Sequence, residues 1–279
     1  MGTTASRPPA TAILGDMTLT RGNAPLAARP APGNYTIDGP AHRLFFEAHP
    51  RRIRVVLAGQ TVLDTIRGSL LHESNLLPVL YAPLEDFDRA LFVDSDHRTH
   101  CPFKGDATHW SLRVGERVAE NAVWSYETPL DAASWLAGHA ALYWGRADEW
   151  WEEDDRVLGH LRDPYARVDV HASARRVEVR LGDEVVAASD APRLLFETNL
   201  PIRPYIRREE VTGGELVPSE TRTICPYKGQ ATYWSLRVGD RLVEDAAWSY
   251  EAADLLSDGP DIAGRVCFDH SELEVALDA

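Results

Sequence analysis

A pair of similar, mainly β domains joined by a helical segment is what this sequence predicts, and three observations predict it. A block of 27 residues occurs twice without a gap. Short β-branched runs, each followed by a glycine-containing turn, fill both copies. Helical spacing of apolar residues is confined to the stretch between the copies and to the C-terminus.

The repeat sets the domain organisation. Residues 101–127 read CPFKGDATHWSLRVGERVAENAVWSYE and residues 225–251 read CPYKGQATYWSLRVGDRLVEDAAWSYE, identical at 19 of 27 positions. The same offset of 124 pairs Glu73-Ser74-Asn75-Leu76 with Glu197-Thr198-Asn199-Leu200, Tyr81 with Tyr205, and Arg51-Arg52 with Arg175-Arg176. Such a period is far too long for a solenoid and marks duplication of a whole folding unit. The expected division is a flexible lead-in over 1–40, a first repeat domain over 41–130, a helical connector over 131–163, and a second repeat domain with a C-terminal segment over 164–279.

Element by element, the lead-in is rich in Ala, Pro, Gly and Thr and lacks an apolar face with which to fold alone. Ile53–Leu57 and Thr61–Leu63 flank Ala58-Gly59-Gln60. Val177–Leu181 and Val185–Ala187 likewise flank Gly182-Asp183-Glu184, so each copy opens with a hairpin. A second hairpin turns at Gly115-Glu116-Arg117, and again at Gly239-Asp240-Arg241. Alternation in its first strand puts Trp110, Leu112 and Val114 on one face and Ser111 and Arg113 on the other. In the connector, Trp135, Leu136, Leu142, Tyr143, Trp150 and Trp151 recur at roughly helical spacing among carboxylates. That spacing predicts one or two amphipathic helices tying the domains together. The corresponding segment after the second copy, 255–279, is shorter and has no tryptophan.

Composition narrows the function classes. The 279 residues carry 29 basic and 43 acidic side chains, a net charge of −14 that repels phosphate backbones and anionic lipid surfaces. The expectation is no nucleic acid and no membrane. No apolar run reaches the roughly 20 residues of a membrane span, and the first 40 residues lack a signal-peptide pattern. Three cysteines are too few and too odd in number for a disulfide scaffold, which points to the cytoplasm.

The run Cys225-Pro226-Tyr227-Lys228-Gly229-Gln230-Ala231-Thr232-Tyr233-Trp234-Ser235 resembles the signature of the domain of unknown function 427 family of bacteria and fungi. That family is also catalogued under a nucleotidyltransferase-like name. Residues 197–203, 245–250 and 162–170 are similar to its other signatures, and the likeness extends from about residue 44 to 268. The resemblance implies a tent-like domain, in which two antiparallel sheets meet at an angle around a pocket. Behind the catalogue name it implies no particular chemistry. Family members often carry an aromatic pair where Pro204-Tyr205 stands. The first copy is the looser match, with Leu80-Tyr81 in that place and His109 opposite Tyr233, so the second copy is the better candidate for activity.

The candidate site residues are those that pair between copies. Lys104 and Lys228 are the only lysines, against 27 arginines, and both stand in Lys-Gly. A lysine beside a glycine turn can hold an anion, because glycine lets a ligand approach the backbone; the alternative is a surface turn. Cys101 and Cys225 stand three residues before these lysines, whose charge would favour a thiolate; the alternative is a small buried hydrophobe. No histidine pairs between the copies, which argues against a cysteine–histidine hydrolase. Glu73 and Glu197 follow apolar runs and would face inward, either as acid/base groups or as partners in a buried ion pair. Trp110, Trp124, Trp234 and Trp248 would line an aromatic pocket or fill the core.

Two main function classes follow. In the first, each repeat binds a small molecule of unknown identity. Tyr81, Tyr205, Tyr250 and the paired tryptophans form its walls, Lys228 and Arg203 (Lys104 in the first copy) grip an anionic end, and Glu197 takes a donor group. In the second, an enzyme acts on a small, nucleotide-like or anionic substrate with Cys225 or Lys228 as nucleophile and Glu197 as acid/base. A third reading makes the tandem a protein-interaction module. Binding is preferred because no complete catalytic constellation is present. No cofactor and no metal are expected: the chain has neither a P-loop nor Cys-x-x-Cys pairs, and His97, His100 and Cys101 have no counterparts in the second copy.

Overall fold

The computed structural model describes residues 19–20, 24–27, 32–34, 36 and 38–278. The lead-in expected to be flexible lies largely outside the described residues. The chain divides into two compact units whose boundary falls between Asp163 and Pro164.

The first unit contains β1 (Leu44–Ala48), β2 (Ile53–Leu57), β3 (Gln60–Thr65), β4 (Ser69–Glu73), β5 (Val79–Pro83), β6 (Phe92–Cys101), β7 (Gly105–Val114), β8 (Arg117–Ser125), β9 (His139–Leu142), β10 (Glu149–Glu152) and β11 (Asp155–Arg156). They form a seven-stranded antiparallel sheet, β1-β4-β5-β9-β8-β7-β6, and a four-stranded one, β11-β10-β2-β3. The second unit repeats the plan with β12 (Val168–Ala172), β13 (Val177–Leu181), β14 (Glu184–Ser189), β15 (Arg193–Glu197), β16 (Arg203–Arg207), β17 (Glu215–Cys225), β18 (Gly229–Val238), β19 (Arg241–Ser249), β20 (Arg265–Phe268) and β21 (Leu273–Leu277). Its sheets run β12-β15-β16-β20-β19-β18-β17 and β14-β13-β21. Both expected hairpins form, β2–β3 and β7–β8, each with its second-copy counterpart.

The stretch 131–163 is not the helical connector that its aromatic spacing predicts. It supplies two short 3-10 turns and three strands, of which β9 inserts into the middle of the large sheet between β5 and β8. The apolar residues are cut into short groups by Gly138, in the left-handed region at φ 76°, and by Gly145. The runs on either side of Gly138 are shorter than the roughly 12 residues a stable helix needs, and backbone pairing with waiting strands wins. The C-terminal segment behaves likewise. β20 takes the place of β9, and β21 pairs with β13 as β10 pairs with β2. Among the described residues no helix is long and apolar enough to cross a membrane.

Each large sheet is buried on both faces. Val266 and Phe268 face the small sheet with Leu236, Val243 and Ala247, while Cys267 between them faces the other way, among Leu195, Tyr205, Ala231, Tyr250 and Ile262. Period-two alternation thus feeds two separate cores. Bulges bend the long strands. The register shifts between Pro218 and Arg222 and again between Trp234 and Leu236. Beside these shifts Asp245 sits at φ 50°, its carboxylate accepting from the hydroxyls of Ser219 and Thr221. Such bulges increase local bend and twist. On the face away from the small sheet, groups from both sides of the large sheet meet.

Candidate functional site

In the second copy the meeting point is the turn between β17 and β18. Lys228 N donates to Cys225 O at 3.3 Å, and Gly229 follows with φ 119°. A Cβ at Gly229 would stand 2.0 Å from the carbonyl oxygen of Asp254, so the glycine is required by the chain itself. That same oxygen accepts from Gln230 N at 3.0 Å, while Leu256 N donates to Lys228 O at 3.0 Å. The expectation that glycine here admits a ligand to the backbone is therefore corrected: the chain's own segment takes that room. Held from both sides, the turn directs its lysine inward, and Lys228 is buried.

Lys228 Nζ meets Glu197 Oε2, at the end of β15, at 2.8 Å. Burial works against the ammonium, but the neighbouring Cys225 and Glu197 outweigh it and hold the lysine pKa above its ordinary value. A lysine held as ammonium has no lone pair with which to attack.

Around the pair lies a cavity of about 100 Å³ whose walls include Glu197, Leu200, Arg203, Tyr205, Thr223, Cys225, Lys228, Tyr233, Trp248 and Tyr250. Tyr205, wholly buried, accepts a hydrogen bond from Trp248 Nε1 at 3.0 Å. The Arg203 guanidinium stands 5.6 Å from the centre of the Trp248 ring and pairs with Asp269 at 2.9 Å, rather than standing open to an anion. Burial pushes the phenol pKa of Tyr205 and of Tyr250 well above the ordinary value, so both remain hydroxyls.

The first copy repeats this arrangement. Lys104 pairs with Glu73, Trp124 Nε1 donates to the Tyr81 hydroxyl at 3.1 Å, and Lys104 stands 5.6 Å from the Tyr126 ring centre. Half-buried Cys101 packs against the same cluster. One difference is local: His42 Nε2 also reaches Glu73, at 3.3 Å, where the second copy has Ala166.

Of the residues expected at the second-copy site, the structure brings together Glu197, Arg203, Tyr205, Cys225, Lys228, Trp248 and Tyr250. It does not bring Trp234, which packs towards the small-sheet core and donates Nε1 to Ser249 at 2.9 Å. Trp110 lies in the equivalent core of the first copy. The reason is alternation: Tyr233 pairs with Trp248 across the strands, so the next residue, Trp234, faces the opposite side. Tyr233 and Thr223 were not among the expected residues, although placing Trp234 on the core face puts its neighbour Tyr233 on the cavity face. Asp269 carries no sequence signal, because strand pairing alone delivers it to Arg203. Among the described residues no group of three His, Cys, Asp or Glu side chains is gathered to hold a metal ion.

A duplicated curved-sheet domain, closed in each copy by a buried lysine–glutamate pair beneath an aromatic wall, is the class that fold and site define. The chain belongs to the family described as a domain of unknown function, DUF427, catalogued as NTP_transf_9, whose model matches it twice in tandem over residues 45–153 and 169–279. No curated protein matches it.

Proposed function

We propose that the second copy binds a small organic molecule in the cavity between the Lys228–Glu197 pair and Trp248. The observation that carries this reading is the cavity itself: an opening of about 100 Å³ bordered by a buried ion pair, three tyrosines and a tryptophan. Concave sites of this kind, mostly apolar with a few convergent polar groups, are where small ligands bind. Trp248 supplies the readout. With 5-fluorotryptophan incorporated and its resonance assigned by Trp248→Phe, a library of small metabolites is screened by fluorine NMR. A ligand of this site shifts the Trp248 resonance and loses affinity in Lys228→Met; compounds that stabilise the protein while leaving Trp248 unmoved overturn the reading.

One observation favours a catalytic reading as the alternative. Cys225 borders the same cavity as the Lys228 ammonium, a thiol placed beside a positive charge. Alkylation of the native protein across pH 5–9, with each cysteine followed by mass spectrometry, separates the two. A Cys225 that reacts well below the free-thiol value of about 8.5 makes the site catalytic; one that reacts only on unfolding leaves it a binding site. Three unpaired thiols are consistent with the reducing cytoplasm that we propose as the location.

A further inference from the structure

The hydrogen-bonding commitments around the second-copy cavity identify what is left for a ligand. Both ionic groups of the Lys228–Glu197 pair are engaged with each other, and the guanidinium of Arg203 is engaged with Asp269. The Trp248 indole N–H is given to the Tyr205 oxygen, and Thr223 Oγ1 reaches the Tyr233 oxygen at 3.4 Å. The Tyr205 phenol accepts through its oxygen and keeps its own proton uncommitted.

Tyr250 is the clearest case. It is only 4% exposed and borders the cavity, and its hydroxyl has no hydrogen-bond partner among the described residues. Its oxygen is not among the side-chain atoms sealed from solvent without a partner, so it opens onto the cavity, where a ligand or water can complete its hydrogen bonding. The cavity thus presents phenolic O–H donors beside a lysine ammonium whose charge Glu197 already balances.

Building on the binding reading above, we infer that the cavity takes a neutral, hydrogen-bond-accepting head, a carbonyl or similar oxygen on a small flat skeleton, and selects it over an anion. A cavity of about 100 Å³ limits the inserted part to a single small ring or less, since engineered cavities of about 150 Å³ take up benzene. The acceptor oxygen sits on Tyr250, while the flat body lies against Trp248 and Tyr233. An anion would gain little, because the lysine charge is already balanced by Glu197, whose own carboxylate would repel it. This reverses the expectation that Lys228 and Arg203 grip an anionic end.

The test uses matched pairs of probes that differ only in charge: benzamide with benzoate, and propionamide with propionate. They are titrated at pH 7 against the full chain carrying 5-fluorotryptophan. The amides are expected to shift the Trp248 resonance with at least tenfold higher affinity than their carboxylates. Tyr250→Phe should weaken amide binding by about 3- to 10-fold, the net worth of one hydrogen bond. The same substitution should leave the thermal midpoint unchanged or raise it, because it deletes an unpaired hydroxyl; a lowered midpoint would mean that the hydroxyl serves the fold, against the inference. Carboxylates that bind as tightly as the amides overturn the ligand class while the binding reading stands. If no probe of either charge moves Trp248, both fall.

Discussion

Lys228 and Glu197, 31 residues apart in sequence, meet at 2.8 Å across the inner face of a seven-stranded sheet. Glu197 ends the second strand from one edge, and Lys228 sits in the turn joining the two strands at the other. The pair therefore closes the curve of the sheet. Such a buried pair need contribute little net stability, but breaking it strands a charge.

Lys228→Met and Glu197→Met alone are each expected to cost about 3–5 kcal/mol, whereas the double variant recovers most of that loss. Urea unfolding of the full chain, arranged as a double-mutant cycle, measures the coupling. Additive single effects would mean that the two charges do not stabilise each other.

Alkaline pH should destabilise the native state in ordered steps. Cys267 is fully buried, which pushes its thiol from the ordinary 9.0 up to about 12. The unfolded thiol loses its proton above about pH 9 while the native one keeps it, so the unfolded state binds fewer protons and stability falls between those values. Tyr205, Tyr250 and Lys228, all raised, act in the same direction at higher pH: their contributions are complete below their ordinary values and vanish as pH climbs through the folded ones. Cys267→Ala should flatten the loss between pH 9 and 10 in equilibrium unfolding and leave the later fall in place.

Removing the acceptor for Trp248 should be felt at once. Tyr205→Phe leaves the indole N–H without its 3.0 Å partner, at an expected cost of about 1–3 kcal/mol. Tyr81→Phe removes the matching acceptor of Trp124 and should cost a similar amount. Thermal denaturation of both variants checks the equivalence of the two copies.

The same Lys-Gly motif should respond unequally to alanine. At Gly229 a Cβ would collide with Asp254 at 2.0 Å on top of a backbone at φ 119°, so Gly229→Ala should prevent the second copy from folding. At Gly105 the nearest atom is 3.5 Å away and only the backbone strain at φ 103° remains, so Gly105→Ala should be milder, at roughly 1–3 kcal/mol. Circular dichroism and solubility of the two variants make the comparison.

Much of this organisation was legible from the residues. The duplicated 27-residue block announced two copies, and whatever paired between them, Lys104 with Lys228 and Glu73 with Glu197, proved to occupy equivalent places. Alternation placed Trp110 with Leu112, which is where they pack. Taking all four repeated tryptophans as pocket walls ignored the same rule, since Trp234 and Trp248 stand on neighbouring strands and face opposite ways. The connector was misread because Leu136, Leu142 and Trp150 mimic helical spacing while belonging to three different elements.

By itself the sequence determined the copy number, the mainly β character, the hairpins, and which residue types would be shared by the two sites. Those features depend on repetition and on side chains one or two positions apart, which local geometry records. Only the tertiary structure decided that β9 and β20 enter the middle of the large sheets, that Arg203 is balanced by Asp269, and that Tyr250 borders the cavity. These outcomes depend on how far the strands bend and on which distant groups the bend brings together. Strand order and hydrogen-bond commitment across 30 or more residues leave no period in the chain to read.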